Sequence, residues 1–299
     1  MWVCTLICGL VAVAPGQLQG YPIQKNMDSK TETADFFITG KPVLAIETAT
    51  PACSVALRLA DGTIHERTAE GKGVHSELTF VFINELLALE KMEVADLGAV
   101  VVSAGPGSYT GLRVASSAVK GLLFQTDVPL YACNTLAGIA MGVLEAVHGG
   151  RLLGQEVSSD HTASHTHAVP TGLATEKPAL ATGCEAVIDA RRNHLYHQSW
   201  SFRGDMVVPE SEVAVRELGE VLEHRKTGFI IAGTGLERLR KEPGDFLESP
   251  EMMPDLPLPE IVNASHILAV AGLQKGTLMQ NLIKKVAPEL FEPYYYSGL

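Results

Sequence analysis

Positive charge is scarce in this chain. The 299 residues include 23 Lys and Arg against 34 Asp and Glu, which gives a formal net charge of −11 at pH 7. A protein that binds RNA or DNA phosphates over a broad surface needs the opposite balance. We therefore expect any role with nucleic acid to depend on a more basic partner.

Cysteine is also scarce, and the cysteines that occur are not paired in sequence. Cys4, Cys8, Cys53, Cys133 and Cys184 are scattered and form no C-x-x-C motif. An odd number without close spacing suggests neither a zinc knuckle nor a disulfide framework. The pattern is typical of reduced thiols in a cytosolic protein.

Lys and Arg are absent before Lys25, although Val3–Ala14 is an apolar run. The run has the length of a secretory signal but is too short to span a bilayer. It lacks the positive residues that normally begin such a signal, and Pro15 disfavours cleavage after Ala14. We interpret residues 1–40 as an N-terminal extension that is either disordered or the result of a mis-assigned translation start. Met27 is the alternative start. An export signal stays open as a second interpretation.

Residues 41–147 alternate regularly between strand and helix patterns and are predicted to form a first lobe. The predicted strands are Val43–Glu47, Cys53–Leu59, Thr63–Thr68, Gly98–Val102 and Pro129–Cys133, and the predicted helices are His75–Lys91, Thr110–Thr126 and Thr135–Val147. Tight turns join the first three strands into an antiparallel meander. The remaining strands are joined by helical crossovers, so the lobe is predicted to be α/β.

Two helices of this lobe carry more apolar or small residues than one buried face requires. The first has Leu78, Phe82 and Leu86 on one stripe and further apolar residues on a second. The second has a small-residue face formed by Val114, Ala118 and Gly121, which permits close approach of another helix. Such helices either pack wholly inside their own chain or reserve one face for a partner.

Residues 148–182 interrupt the pattern and are predicted to be a flexible insertion rich in Ser, Thr, His, Gly and Pro. His161, His165 and His167 could bind a metal if they lay on a helix. No helical periodicity surrounds them, so a solvated loop is the favoured interpretation.

Residues 183–299 are predicted to form a second lobe that resembles a shortened copy of the first. A hairpin of Glu185–Asp189 and His194–Phe202 precedes a helix at Val215–Lys226, a strand at Phe229–Ala232 and a helix at Ala264–Lys275. Two related lobes, each a mixed sheet with helices, indicate the two-lobed actin-like (ASKHA) ATPase fold.

The glycine-rich stretch SAGPGSYTGLR lies between a predicted strand and a helix. It is not a Walker A motif, because no Lys-Ser/Thr pair follows Gly111, and the spacing of Gly105, Gly107 and Gly111 is one residue too long for a Rossmann fingerprint. Ser108 or Thr110 can cap the helix, and the free N–H groups there would suit an anion. A tight structural turn and a phosphate cradle therefore both remain open.

Glu47 and Thr48 begin the turn between the first two strands. In the actin-like fold this turn faces the nucleotide phosphates, and kinases usually place an Asp there. The alternative is a plain hairpin with a polar bend.

Four stretches carry a specific resemblance. IETATPACSVAL, SAGPGSYTGLRV, VPLYACNTLAGIA and VIDARRNHLYHQSW resemble the TsaB family in order and spacing, over about Val43–Tyr295. The resemblance implies an accessory subunit of the machinery that makes N6-threonylcarbamoyladenosine (t6A) in tRNA beside the anticodon. The C-terminal pattern P-x-Y-L-R of that family is reduced here to Pro293–Tyr296.

The catalytic paralogue, TsaD, carries an N-H-L-E-G-H stretch whose histidines hold a metal. Here Thr135 and Ile139 stand in the corresponding positions. Threonine is a poor replacement ligand and isoleucine is none. The resemblance thus implies a non-catalytic subunit with no cofactor of its own, whereas ATP and metal are carried by partner subunits.

The resemblance also implies the partners: TsaD, TsaE and a second copy of the chain when TsaD is absent. tRNA would be contacted only indirectly, no membrane would be involved, and the location would be cytoplasmic. TsaD would pack against the first-lobe helices at Leu78, Phe82, Leu86, Val114, Ala118 and Gly121. We expect Ala118→Glu to break that complex without unfolding the chain.

Two alternatives from other classes stay open. One is an enzyme in its own right, either a metal-dependent TsaD-like carbamoyltransferase or a glycoprotease-type peptidase. The other is an actin-fold sugar or acetate kinase, which requires ATP binding between the lobes.

Overall fold

The computed structural model describes residues 40–148, 181–223, 225–241, 262–273 and 282–296. The strands are β1 Val43–Glu47, β2 Ala52–Arg58, β3 Ile64–Glu70, β4 Ala99–Ser103, β5 Leu130–Cys133, β6 Gly183–Asp189, β7 His194–Arg203, β8 Met206–Pro209, β9 Ala214–Glu217, β10 Phe229–Ala232 and β11 Ile283–Val286. The helices are α1 Val74–Leu89, α2 Tyr109–Leu122, α3 Thr135–Val147, α4 Leu218–Glu223, α5 Leu236–Leu239 and α6 Ala264–Leu273.

The first sheet has the strand order β11-β5-β4-β1-β2-β3. β1, β2 and β3 form the predicted antiparallel meander, and β1, β4 and β5 run parallel to one another. Alternate side chains of the buried strands point to opposite faces, as strand geometry requires. Leu44 and Ile46 face the core under α1 and α2, whereas Val43 and Ala45 face the core that includes α3 and α6.

The second sheet has the order β10-β6-β7-β8, with β9 paired to β7. α3 contacts β6 and β7, and α6 contacts α3 and the first sheet, so both helices lie between the sheets. One continuous apolar core joins them to the inner faces of both sheets. The predicted α/β fold of two mixed sheets with helices is confirmed.

The predicted helix at Val215–Lys226 is wrong in its first part. Ala214–Glu217 is a strand that pairs antiparallel with His194–His197 of β7, and only Leu218–Glu223 is helical. The short apolar spacing in this stretch suits either structure, and pairing with an exposed strand edge decided the outcome.

The predicted second lobe, 183–299, is corrected at its C-terminal end. Ile283–Val286 pairs antiparallel with β5 and is therefore an edge strand of the first sheet. α6 likewise packs on β1 and β2 of the first sheet. Such pairings between distant segments leave no mark in local periodicity.

Several predictions fall outside the described residues. They are the N-terminal extension through residue 39, nearly all of the insertion with His161, His165 and His167, and the last two residues of the helix predicted at Ala264–Lys275. Among the residues that are described, no helix combines the length and apolar character needed to cross a membrane.

Candidate functional site

The side chains of Glu47, Ser103 and Cys133 lie together where the parallel strands of the first sheet end. Ser103 is the register partner of Cys133, and Glu47 follows Ile46, the partner of Val102. All three lie on the sheet face that looks toward α3 and α6. Ligands of open α/β sheets bind outside the carboxyl ends of the strands, so these side chains form the candidate site of this sheet.

The Glu47 carboxylate is fully buried and holds the first turn together. Its Oε1 accepts hydrogen bonds from the N–H groups of Ala49 at 2.7 Å and Thr50 at 3.0 Å. In the described part of the chain, Glu47 Oε2, Thr50 Oγ1, Ser103 Oγ and Thr135 Oγ1 are buried without a hydrogen bond of ordinary geometry. Such unpartnered oxygens are uncommon in native proteins and mark the end of these strands as polar and incompletely satisfied.

Burial raises the pKa of Glu47 from its ordinary 4.5 to about 7, although Ser103 and the N–H groups of Thr50 and Ala49 act in the opposite direction. Burial also raises the pKa of the Cys133 and Cys53 thiols, and the charge of Glu47 adds to the effect in both. Both cysteines therefore stay protonated at neutral pH and are poor nucleophiles.

Glu47→Gln is expected to stabilise the protein at pH 8 by up to about 3 kcal/mol. The folded-state pKa of Glu47 is raised to about 7, so this group's contribution to stability is present below pH 4.5 and is lost as pH rises through 7. Glutamine keeps the Oε1 acceptor and removes the buried charge. Chemical denaturation between pH 4.5 and 8 measures the effect, and a pH dependence unchanged by the substitution contradicts it.

Glu185 lies in a buried cluster on the second sheet that sequence reasoning missed. It supplies a matched control for Glu47, because its pKa is shifted in the opposite direction. Its Oε2 accepts hydrogen bonds from Ser199 Oγ at 2.5 Å and His197 Nε2 at 2.8 Å. Burial alone would raise the pKa of Glu185, but the hydrogen bonds and the charge of His197 hold it below its ordinary value. The contribution of Glu185 to folding stability is present at pH values above its unfolded-state pKa and is lost in acid. Glu185→Gln is therefore expected to destabilise the protein at neutral pH.

The three glycines of the SAGPGSYTGLR stretch are required by close packing against other backbone segments. A Cβ on Gly107 would overlap the Ala49 carbonyl, and one on Gly111 would overlap the Thr48 carbonyl. A Cβ on Gly105, whose φ is +109°, would lie 2.7 Å from the carbonyl oxygen of Tyr294. The space beside each glycine is thus occupied by this chain's own backbone.

Hydrogen bonds lock the loop onto the first turn. The Ser108 N–H donates to the Ala49 carbonyl at 2.7 Å, and Thr48 Oγ1 donates to the Gly111 carbonyl at 2.8 Å. Ser108 Oγ also caps α2 by accepting from the Gly111 N–H at 3.3 Å. Thr110 is exposed in the first turn of α2. Of the two interpretations of this loop, the structure supports the tight structural turn.

The C-terminal segment covers the same loop, which sequence reasoning did not foresee. The Tyr294 N–H donates to the Ala104 carbonyl at 2.7 Å, and Ser116 Oγ donates to the Phe291 carbonyl at 3.2 Å. Phe291 is buried, and the Tyr295 ring lies 5.2 Å from that of Tyr109. The Pro293–Tyr296 remnant was the available signal, but it did not reveal what the segment packs against.

The positions that hold metal ligands in TsaD-like sequences do not fit a metal here. Thr135 is buried in the first turn of α3, and its N–H donates to the Gly105 carbonyl at 3.1 Å. Ile139 is 1% exposed and packs beside Gly233, which follows β10. Within the described ranges, no group of three or more His, Cys, Asp or Glu side chains is placed to hold a metal ion.

Asn134 instead connects the two sheets at this point. Its Oδ1 caps α3 by accepting from the Leu136 N–H at 2.8 Å, and its Nδ2 donates to Gln198 Oε1 at 2.9 Å. Gln198 in turn donates to the Ser211 carbonyl. The residues at the strand ends therefore form a structural junction.

The predicted partner face is only partly on the surface. Leu86 and Ala118 are buried at 0% and 1% exposure, so they belong to the chain's own core and are corrected as interface residues. Leu78, Phe82 and Val114 are half-buried, and Gly121 is exposed. Within the small-residue face of α2, Ala118 is explained by packing inside the chain, where α1 and α2 contact each other.

Ala118→Glu is now expected to unfold the chain, in contrast to the expectation from sequence. A carboxylate placed in this buried position would lack a partner, which costs about 3–5 kcal/mol. Thermal unfolding measures the loss. Ser117→Glu, one residue earlier on the exposed side of α2, is the matched control and should leave Tm within a few degrees of wild type. An Ala118→Glu protein as stable as that control contradicts the assignment.

A family model described as TsaD, tRNA N6-adenosine threonylcarbamoyltransferase, matches residues 64–151. The TsaB protein of Escherichia coli (strain K12) is 33% identical over 100 residues, which is 33% of this chain and 43% of that protein. The TsaB protein of Bacillus subtilis (strain 168) is 25% identical over 194 residues, 64% of this chain and 70% of that protein.

A solved structure described as YeaZ from Pseudomonas aeruginosa has a TM-score of 0.62 and 22% identity, covering 86% of this chain and 100% of that chain. At this identity the likeness supports the fold. The matched stretch spans less than half the length of the Escherichia coli relative. The resemblance to the TsaB family predicted from sequence is confirmed by these relatives.

Proposed function

We propose that this chain, which resembles TsaB proteins, is a cytoplasmic accessory subunit for t6A modification of tRNA, with catalysis by TsaD. The two relatives described above are named as tRNA threonylcarbamoyladenosine biosynthesis proteins. The observation that carries the accessory role is the packing at the strand ends, where backbone carbonyls of Thr48, Ala49 and Tyr294 fill the space beside the loop glycines.

This packing argues against chemistry centred on the loop. A phosphate cradle needs free N–H groups and room for the anion next to the glycines. Here the Ser108 N–H is bonded to Ala49, the Gly111 N–H to Ser108, and the Gly105 flank is covered by Tyr294. We propose that the chain brings no cofactor of its own and that ATP and metal belong to its partner subunits.

The partner surface is proposed to lie on the outer side of α1 and α2. Phe80 and Val81 are large apolar residues of α1 with 47% and 43% exposure. α2 lies beside α1 and adds half-buried Val114 and exposed Gly121. Apolar side chains exposed together on one helix are typical of a surface that another protein covers.

TsaD is the proposed occupant of this surface, and a second copy of the chain covers it when TsaD is absent. TsaE is proposed as a third component of the assembly. tRNA would be bound mainly by the rest of the complex, because this chain is acidic.

Co-expression with TsaD tests the association. Size exclusion with light scattering is expected to show a mixed complex, and the isolated chain is expected to form a dimer. Elution of the two proteins as separate species at micromolar concentration contradicts the proposal.

A further inference from the structure

A basic turn, residues Arg191–Asn193, projects from the second sheet between β6 and β7. Arg191 and Arg192 are both exposed and have left-handed backbone φ angles of 68° and 52°. Glycine and asparagine adopt this conformation at the lowest cost, and arginine adopts it with strain. Two arginines at such positions suggest that the side chains are there for a reason other than the turn's stability.

Hydrogen bonds to Asp189 and Arg238 hold the backbone of the turn in place. The Arg191 N–H donates to Asp189 Oδ1 at 2.8 Å, and Arg238 of α5 contacts both Asp189 Oδ1, at 3.2 Å, and the Arg192 carbonyl. Thr234 Oγ1 accepts from the Asp189 N–H at 3.4 Å. The turn therefore presents its two guanidinium groups from a fixed backbone.

The charges around the turn are mainly positive, although the chain as a whole is acidic. Asp189 is already paired with Arg238, and Glu217 lies opposite His194 in the β7–β9 register. Arg216 of β9 has a buried Nε without a hydrogen-bond partner in the described residues. The guanidinium groups of Arg191 and Arg192 form no ion pair with any described residue. Unpaired, closely spaced arginines are the residues that bind phosphate groups through two parallel hydrogen bonds.

We propose that Arg191 and Arg192 contact phosphate groups of the tRNA backbone, as a direct contact between this chain and the RNA. The proposal rests on the proposed function, which supplies tRNA as the substrate. A turn tip that projects into solvent cannot enclose a small anion, whereas it can lie against an extended polyanion. Because the turn offers two guanidinium groups and the chain as a whole is acidic, the contact is limited to about two phosphates.

The test uses a variant that removes the charges without weakening the turn. Arg191→Asn combined with Arg192→Gly supplies the residues best suited to left-handed backbone, so Tm should equal or exceed that of wild type. Arg203→Gln is the matched control, because Arg203 is also exposed on β7 but faces Glu210 at 3.7 Å.

Affinity for an unmodified tRNA transcript is measured for the complex with TsaD and for the chain alone, by filter binding between 50 and 200 mM KCl. The complex that contains the double variant should bind the transcript about tenfold more weakly. The slope of log K against log salt should become less steep by about 1.5, as expected for two lost phosphate contacts. Arg203→Gln should match wild type. Equal affinity and slope for the double variant and wild type overturn the proposal.

Free phosphate ligands are distinguished by calorimetry on the chain alone with inorganic phosphate and with Mg-ATP. Binding by wild type that the double variant loses would assign the turn to a small phosphate ligand and overturn the RNA assignment. If the wild-type complex modifies tRNA while the double variant binds RNA normally, this inference alone fails. If the wild-type chain neither forms a complex with TsaD nor binds tRNA, both the proposed function and this inference fail.

Discussion

Gly111→Ala is expected to destabilise the protein by about 3 kcal/mol or more and to be recovered mainly as aggregated material. Gly111 lies in the first turn of α2, directly against the Thr48 carbonyl. A methyl group there would push the first turn away from the loop. The change would break the bond from Thr48 Oγ1 to the Gly111 carbonyl and disturb the cap formed by Ser108.

Gly121→Ala is the matched control, because it makes the same change in the same helix. A Cβ at Gly121 meets nothing within 4 Å. Alanine is favoured over glycine in a helix by about 0.5–1 kcal/mol, so this variant should be slightly more stable than wild type. Urea unfolding of both variants measures the difference. Equal stability of Gly111→Ala and Gly121→Ala would contradict the packing described for the loop.

Phe80→Glu combined with Val81→Glu is expected to weaken the complex with TsaD at least a hundredfold. Both side chains are exposed in the free chain, and burial of each in an interface contributes about 1.5–3 kcal/mol. Glutamate at these positions would lose that contribution and leave buried charges without partners. Because both residues are exposed, the Tm of the free chain should change little.

Thr227→Glu is the control for an added charge outside α1 and α2. Thr227 is exposed in the turn before β10 of the second sheet. It should leave affinity for TsaD unchanged, as measured by calorimetry or surface plasmon resonance. Wild-type affinity in the Phe80 and Val81 double variant would show that TsaD binds elsewhere, and the proposed partner surface would be wrong.

The order of elements from β1 to α3 could be predicted because each has a clear period and a turn signal at its ends. The Asp61-Gly62 turn and the glycines around Pro106 mark their boundaries in the sequence itself. β9, β11 and the segment around Tyr294 could not be predicted, because their places depend on pairing with residues far away in the chain. Local patterns carry no information about such partners.

The helix faces show a second limit. A helix with apolar residues on two sides does not reveal which side the sheet covers. The structure buries Leu86, which was expected at the partner surface, and exposes Phe80, which was not named there. Similarly, the sequence identified Gly105, Gly107 and Gly111 as special but could not distinguish a bound anion from a neighbouring backbone as the cause.

The central proposal is that this chain supports t6A formation only together with TsaD, because backbone carbonyls fill its own strand-end site and the side chains of Thr135 and Ile139 are unsuited to hold a catalytic metal. The most direct measurement is t6A content, determined by mass spectrometry of tRNA nucleosides after incubation with the chain alone, with TsaD alone and with both. All small-molecule substrates and TsaE are supplied in each reaction. We predict t6A only when the chain and TsaD are present together; formation of t6A by the chain in the absence of TsaD would contradict the account.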